Sequence, residues 1–217
     1  MFIKSIFLYV FIFMHSPVFG YSDNYKIPDN HLTKLSKEIA KEINIARKDP
    51  QKYVLILEEF KNKYDGKSLK LLNKKIITTK EGTRVVDEAI KFLNKISSMP
   101  PLKFSSGMSK GARDHINDIS STNITGHKGK DKSLPGIRIN RFGEWKLAVG
   151  ENICYGFNTA REIVIWMIVD DGFPTRGHRI NIYRSDFRFV GVALQEHPLY
   201  EFICVITFAG EYLDTNN

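Results

Sequence analysis

The 217-residue chain has only two cysteines, Cys154 and Cys204, so a dense disulfide framework is excluded. It has no apolar run of the roughly twenty residues that a membrane-spanning helix needs. The run Ile6–Met14 is about half that length and ends at His15, Ser16 and Pro17. Arginine is missing where positive charge is densest. Residues 61–80 hold seven lysines against the single acid Asp65, with only Tyr64 to stack. A nucleic-acid surface interleaves arginines and aromatics with its lysines, so the stretch reads as a solvated loop and no nucleic-acid partner is expected. There is no internal repeat, no low-complexity tract and no G-x-S-x-G nucleophile motif.

What is present begins with the leader. Lys4, the apolar run and Val18-Phe19-Gly20 have the layout of a secretory signal peptide over residues 1–20. The expectation is a secreted, extracellular protein with no membrane span. A polar leader covers residues 21–31, one domain covers 32–213 and a tail covers 214–217. The formal net charge is +8. An oxidising compartment makes a Cys154–Cys204 disulfide reasonable, with two buried free thiols as the alternative. Asn123-Ile124-Thr125 is the one N-glycosylation sequon, four residues before His127.

Leu32, Leu35, Ile39, Ile43 and Ala46 recur at helical spacing up to Lys48. Asp49-Pro50 ends that helix and starts a second carrying Tyr53, Val54, Leu57 and Phe60. Thr83–Ile96 and the stretch around Met108, Ala112, His115 and Ile119 predict two more. Residues 126–143 read as a long loop and Asn152–Tyr155 as a short strand. Thr159 caps a fifth helix running to Val169. Phe189–Leu194 and Phe202–Phe208 are strands joined by a turn containing Pro198. The expected class is α+β, one domain in which helices flank a small central antiparallel sheet.

Six histidines are present. His15 goes with the signal, His31 reads as solvated, His115 as a core or rim residue, and His197 as an exposed turn residue. His127, between Gly126 and Lys128-Gly129, and His178, in Arg176-Gly177-His178-Arg179, remain. With Glu151 and one of the adjacent pair Asp170-Asp171 they give two imidazoles and two carboxylates, donors suited to zinc or another divalent ion. Spacing alone does not bring the four together. Arg176 and Arg179 have Asp170, Asp171 or Asp186 as partners for bracing the loop.

Gly150-Glu151-Asn152-Ile153 resembles the GEN[IV] motif of the CAP superfamily (cysteine-rich secretory proteins, antigen 5 and pathogenesis-related 1). Gly177-His178-Arg179-Ile180-Asn181-Ile182 resembles the GHR-x-N-[IL] form of microbial and protist members. Gly191-Val192 and Phe208-Ala209 fit the same pattern, and the similarity runs from about Leu35 to Tyr212. The resemblance implies an α-β-α sandwich with a surface cleft lined by His127, Glu151, Asp170 or Asp171, and His178, with Asn152 and Arg179 beside them. By donor type, His127, His178, Glu151 and Asp170 are the candidate metal ligands. Family members often place glutamate at the fourth position, and a shorter aspartate makes a metal less secure there than the cleft.

Three functions are open. The first is a monomeric, non-catalytic binding module for a lipid or sterol, a glycan or a protein partner, with divalent-metal dependence. The second is a hydrolase using the His/acid cleft, for which the sequence supplies no serine or cysteine nucleophile motif. The third is a secreted signalling or structural ligand whose cluster only stabilises the fold.

Overall fold

The computed structural model describes residues 29–71, 75–120 and 125–215. The signal-like leader and the Asn123 sequon lie outside the described residues. Helix α1 (Asp29–Lys48) starts inside the stretch expected as polar leader. It buries Leu32, Leu35, Ile39, Ile43 and Ala46, the face the spacing predicts. The Asp49 side chain caps α2 (Pro50–Lys61) by accepting from Lys52 N at 2.9 Å.

The lysine-rich connection is not a plain loop. It holds a three-stranded antiparallel sheet, β1 (Tyr64–Asp65), β2 (Ser68–Lys70) and β3 (Ile76–Thr78). Leu69 pairs with Ile77, and both are buried while Lys67 and Lys70 face solvent. The outward lysines masked a period-two pattern.

Helix α3 (Thr83–Leu93) and the short strand β4 (Lys103–Phe104) precede α4 (Ser106–Ser120). The glycine-rich stretch after it contains one helix, α5 (Pro135–Ile139). Strand β5 (Gly143–Tyr155) is far longer than the expected four residues. Thr159 Oγ1 caps α6 (Ala160–Val169) by accepting from Glu162 N at 3.2 Å. A six-residue helix, α7 (Gly177–Ile182), carries the Gly-His-Arg motif. Strands β6 (Phe189–His197) and β7 (Glu201–Asp214) form a hairpin. Asp214, expected in a loose tail, is the last residue of β7, and its carboxylate accepts from Ser105 Oγ and Gly107 N.

The central sheet has the order β4-β6-β7-β5. Its three long strands are antiparallel, and the two-residue β4 joins parallel to β6. Successive side chains along a strand point to opposite faces. On β7, Phe202, Cys204, Ile206 and Phe208 enter the core formed with α1, α2, α3 and α6. Ile203, Val205 and Ala209 enter the opposite cores, against α4 and α5. Helices thus cover both faces of the sheet, the expected α-β-α sandwich. Cys154 and Cys204 face each other in register across β5 and β7 as buried free thiols, not as a disulfide.

Two arginines bind the layers. Arg47 is fully buried and donates to the carbonyls of Pro100, Ile182, Arg184 and Phe187. Burial pulls its pKa down to about 10. Arg176 pairs with the carboxylates of Glu81 and Glu88 rather than those of the aspartates expected from sequence, and reaches Asp170 only at its carbonyl. These bonds with Arg176, joined by a second from Arg179, hold the Glu88 carboxyl down at about 2.

Two outcomes follow. A thiol reagent should leave native protein unlabelled and, in denaturant without reductant, modify two thiols per chain; mass spectrometry counts them. The lowered Glu88 pKa adds stability that is complete above its unfolded value and lost as pH falls towards the folded one. The melting temperature should therefore drop between about pH 4.5 and about pH 2, and Glu88→Gln should flatten that part of the profile.

Candidate functional site

Strand β5 is an edge strand, and the site is built on its residues 150–152. Alternation sends Glu151 towards α4 and α5 and Asn152 towards α6 and α7. The close packing begins at Gly150, where an added Cβ would lie 2.8 Å from Phe187 Cζ and 3.1 Å from Asn181 Oδ1. Only glycine lets α7 and the following segment approach the strand so closely.

On the α4/α5 side, Glu151 is buried and each of its carboxylate oxygens has a partner. His127 Nδ1 donates to Oε1 at 2.9 Å, and Arg138 Nη2 donates to Oε2 at 2.7 Å. A carboxylate only accepts, so His127 carries a proton on Nδ1, and in the neutral imidazole Nε2 is then the nitrogen without one. His115 Nε2 lies 3.9 Å from the same Oε1. Burial pushes the His115 pKa down despite the nearby carboxylate, keeping it neutral.

On the α6/α7 side, Asp170 ends α6 in the left-handed conformation (φ 60°), which aspartate tolerates better than most residues. That turn aims its carboxylate at α7. Oδ1 accepts from His178 Nδ1 at 2.7 Å, and Oδ2 accepts from the backbone N–H of His178 (2.9 Å) and of Arg179 (3.3 Å). His178 is thus oriented like His127, with Nε2 left bare. The imidazoles are partly open, with side-chain exposures of 37 % for His127 and 17 % for His178. Asn152 fastens α7 to the strand: its Nδ2 donates to His178 O at 3.0 Å, and its Oδ1 accepts from Asn181 Nδ2 at 2.8 Å.

The other residues singled out from sequence lie elsewhere. Asp171 turns away and accepts from Lys80 N and Glu81 N, tying the small sheet to the α6–α7 loop. Arg179 is buried, and its guanidinium donates to Ile168 O, Val169 O and Glu88. It thereby satisfies carbonyls at the end of α6 that have no helical partner. Asn152 is fully buried, so it supports the site from behind. His197, expected to be exposed, is buried, and its Nδ1 accepts from Leu199 N and Tyr200 N.

Arg138 escaped the sequence reading because arginines usually face water. The available signal was its place between Ile137 and Ile139. Among the described residues, no three His, Cys, Asp or Glu side chains form a group that could hold a metal ion. Both acids are spent on internal hydrogen bonds, so the four-residue ligand set does not fit a zinc ion. Two imidazole Nε2 atoms are the donors left.

Glu151→Gln should cost about 3–5 kcal/mol, because it leaves the Arg138 charge buried without its counter-ion. Urea denaturation of wild type and variant gives the difference.

The sequence model of the cysteine-rich secretory protein (CAP) family matches residues 84–208, more than half of the chain and all four residues of the two His/acid pairs. The Bacillus subtilis (strain 168) protein described as "Uncharacterized protein YkwD" is 31% identical over 99 residues. That match covers 45% of this chain and 36% of the relative, so the similarity spans only about a third of the bacterial protein. An outer surface protein from Borrelia burgdorferi superposes with a TM-score of 0.43 at 16% identity, over 58% of this chain and 86% of that one. An extracellular protein containing a SCP domain, from Bacillus anthracis str. Ames, gives 0.42 at 20% identity, over 58% and 39%. On the strength of the match over residues 84–208, the chain belongs to the cysteine-rich secretory protein (CAP) family.

Proposed function

We propose that this protein is a secreted, non-catalytic binding module that takes an amphipathic ligand, a sterol or other lipid, at the two carboxylate-oriented imidazoles. The observation that carries the reading is the state of the two acids. Every oxygen of Glu151 and Asp170 is bonded to the protein itself, so neither acid is free to serve as a base. What the site offers is a pair of fixed Nε2 acceptors suited to a hydroxyl or other polar head group.

Apolar side chains beside these acceptors favour a lipid over a glycan. Phe173 is 44% exposed and sets its edge against the His178 ring at 5.0 Å. Ile180 on α7, Leu134 just before α5 and Ile137 within it are exposed as well. Scattered apolar residues are ordinary on a surface; here they lie on the elements that carry Arg138 and His178, and one of them touches the His178 ring. Secretion is supported by the leader 1–20, and no described helix is long and apolar enough to cross a membrane.

A divalent ion is compatible with this reading but not required by it. His127 and His178 would hold it through Nε2, with Glu151 and Asp170 orienting the rings from behind. The hydrolase alternative lacks a cysteine nucleophile, since both thiols sit in the sheet and burial raises the Cys204 pKa.

The test is solvent extraction of protein collected from the medium of its own cells, followed by mass spectrometry. Sterol or fatty acid should co-purify, and the His127→Ala/His178→Ala double variant should retain much less. A clean extract, together with no uptake from sterol-containing vesicles, overturns the lipid reading in favour of a signalling role. Ester turnover that is lost in the same variant would instead make it a hydrolase.

A further inference from the structure

His115 and Arg138 are fully buried, polar, and unassigned by either the motifs or the reading above. Both reach the loop that carries His127. His115, on α4, donates from Nε2 to Gly126 O at 2.7 Å. Gly126 has φ 101°, a conformation that L side chains rarely adopt, and its carbonyl meets this donor. Arg138, on α5, donates from Nη1 to the next carbonyl, His127 O, at 3.0 Å, and to Ser133 O at 2.8 Å. Its Nη2 holds Glu151, which in turn accepts from His127 Nδ1. Two consecutive carbonyls are therefore gripped from two helices, and the ring between them meets a carboxylate held by the same guanidinium.

We propose that His115 and Arg138 are positioning residues that clamp residues 126–127 and so fix which ring nitrogen His127 presents. The clamp rests on the binding reading only for its purpose, since its geometry does not depend on what binds. An imidazole free in water favours the proton on Nε2. Presenting a bare Nε2 requires the ring to stay on Glu151, and the ring can stay there only if its backbone is held. The fork of Arg138 suits this task, because one planar group reaches carbonyls and carboxylate together. His115 bonds a carbonyl, which only accepts, so its proton is on Nε2. Its buried Nδ1 has no partner, which accounts for the Nε2 bond as the polar contact that keeps this ring in place.

The test is long-range proton–nitrogen NMR on histidine-labelled protein, with His178 as internal reference because neither residue touches it. In the wild type, His127 and His178 should both carry their proton on Nδ1. In His115→Leu and Arg138→Met, His127 should shift to a mixture dominated by the Nε2 proton, with His178 unchanged. His115→Gln, whose amide can still donate to Gly126 O, should restore the wild-type form, and Arg138→Lys should restore it only in part. The proposal is overturned if His127 keeps its Nδ1 proton in both disruptive variants, or if His178 changes equally, which marks a general loosening. Should either disruptive variant fail to fold, an Arg138→Lys protein with a fully wild-type His127 overturns it as well. Failure to find lipid would leave these signals in place, so the two readings fail separately.

Discussion

The buried pair of Arg138 and Glu151 is the interaction on which the site depends. Neither side chain has water to fall back on, and the cost of removing both charges from solvent is large. The pair is kept because each partner has further tasks. Arg138 reaches two carbonyls besides the carboxylate, and Glu151 holds the His127 ring with its second oxygen. Charge neutralisation, loop placement and ring orientation are thereby one event, and helix α5 delivers that guanidinium to the edge strand.

The opposite face of the same strand solves the same problem without a cation. Asp170 uses two backbone N–H groups at the start of α7 where Glu151 uses arginine. The left-handed turn at Asp170 makes this reach possible and leaves the second oxygen for His178. The result is two carboxylate–imidazole units on either side of one strand, with Asn152 and Asn181 fastening α7 to it. They differ in how the acid is compensated and agree in which nitrogen is left bare.

Much of this was legible from residues. The α1 spacing, the Asp49 and Thr159 caps, the two-faced strands near the carboxyl end and both motifs led to elements that exist. The fold class followed from them. What stayed hidden had specific causes. Lysines masked the buried Leu69 and Ile77, so a sheet read as a loop. Helix α7 is six residues of mixed polarity, too short to show a period. Asp170 and Asp171 are chemically alike, and only the left-handed turn at the first of them decides which faces His178. The buried roles of Arg47, Arg138 and Arg179 were not legible because burial of an arginine depends on carbonyls supplied by distant segments.

The β-bulge between Lys146 and Val149 has a consequence for how this scaffold tolerates change. Lys146 pairs with Glu211 and Val149 with Ala209, so Leu147 and Ala148 stand opposite Gly210 alone and the count is already uneven there. Beyond the bulge, parity is strict. One residue more or less between Val149 and Glu151 would exchange the faces of Glu151 and Asn152 and dismantle both halves together. Before the bulge, the strand has already shown that it can absorb a mismatch. The edge strand thus divides into a segment whose length is open to drift and a segment whose length is locked, and the boundary at Val149 lies only two residues from Glu151.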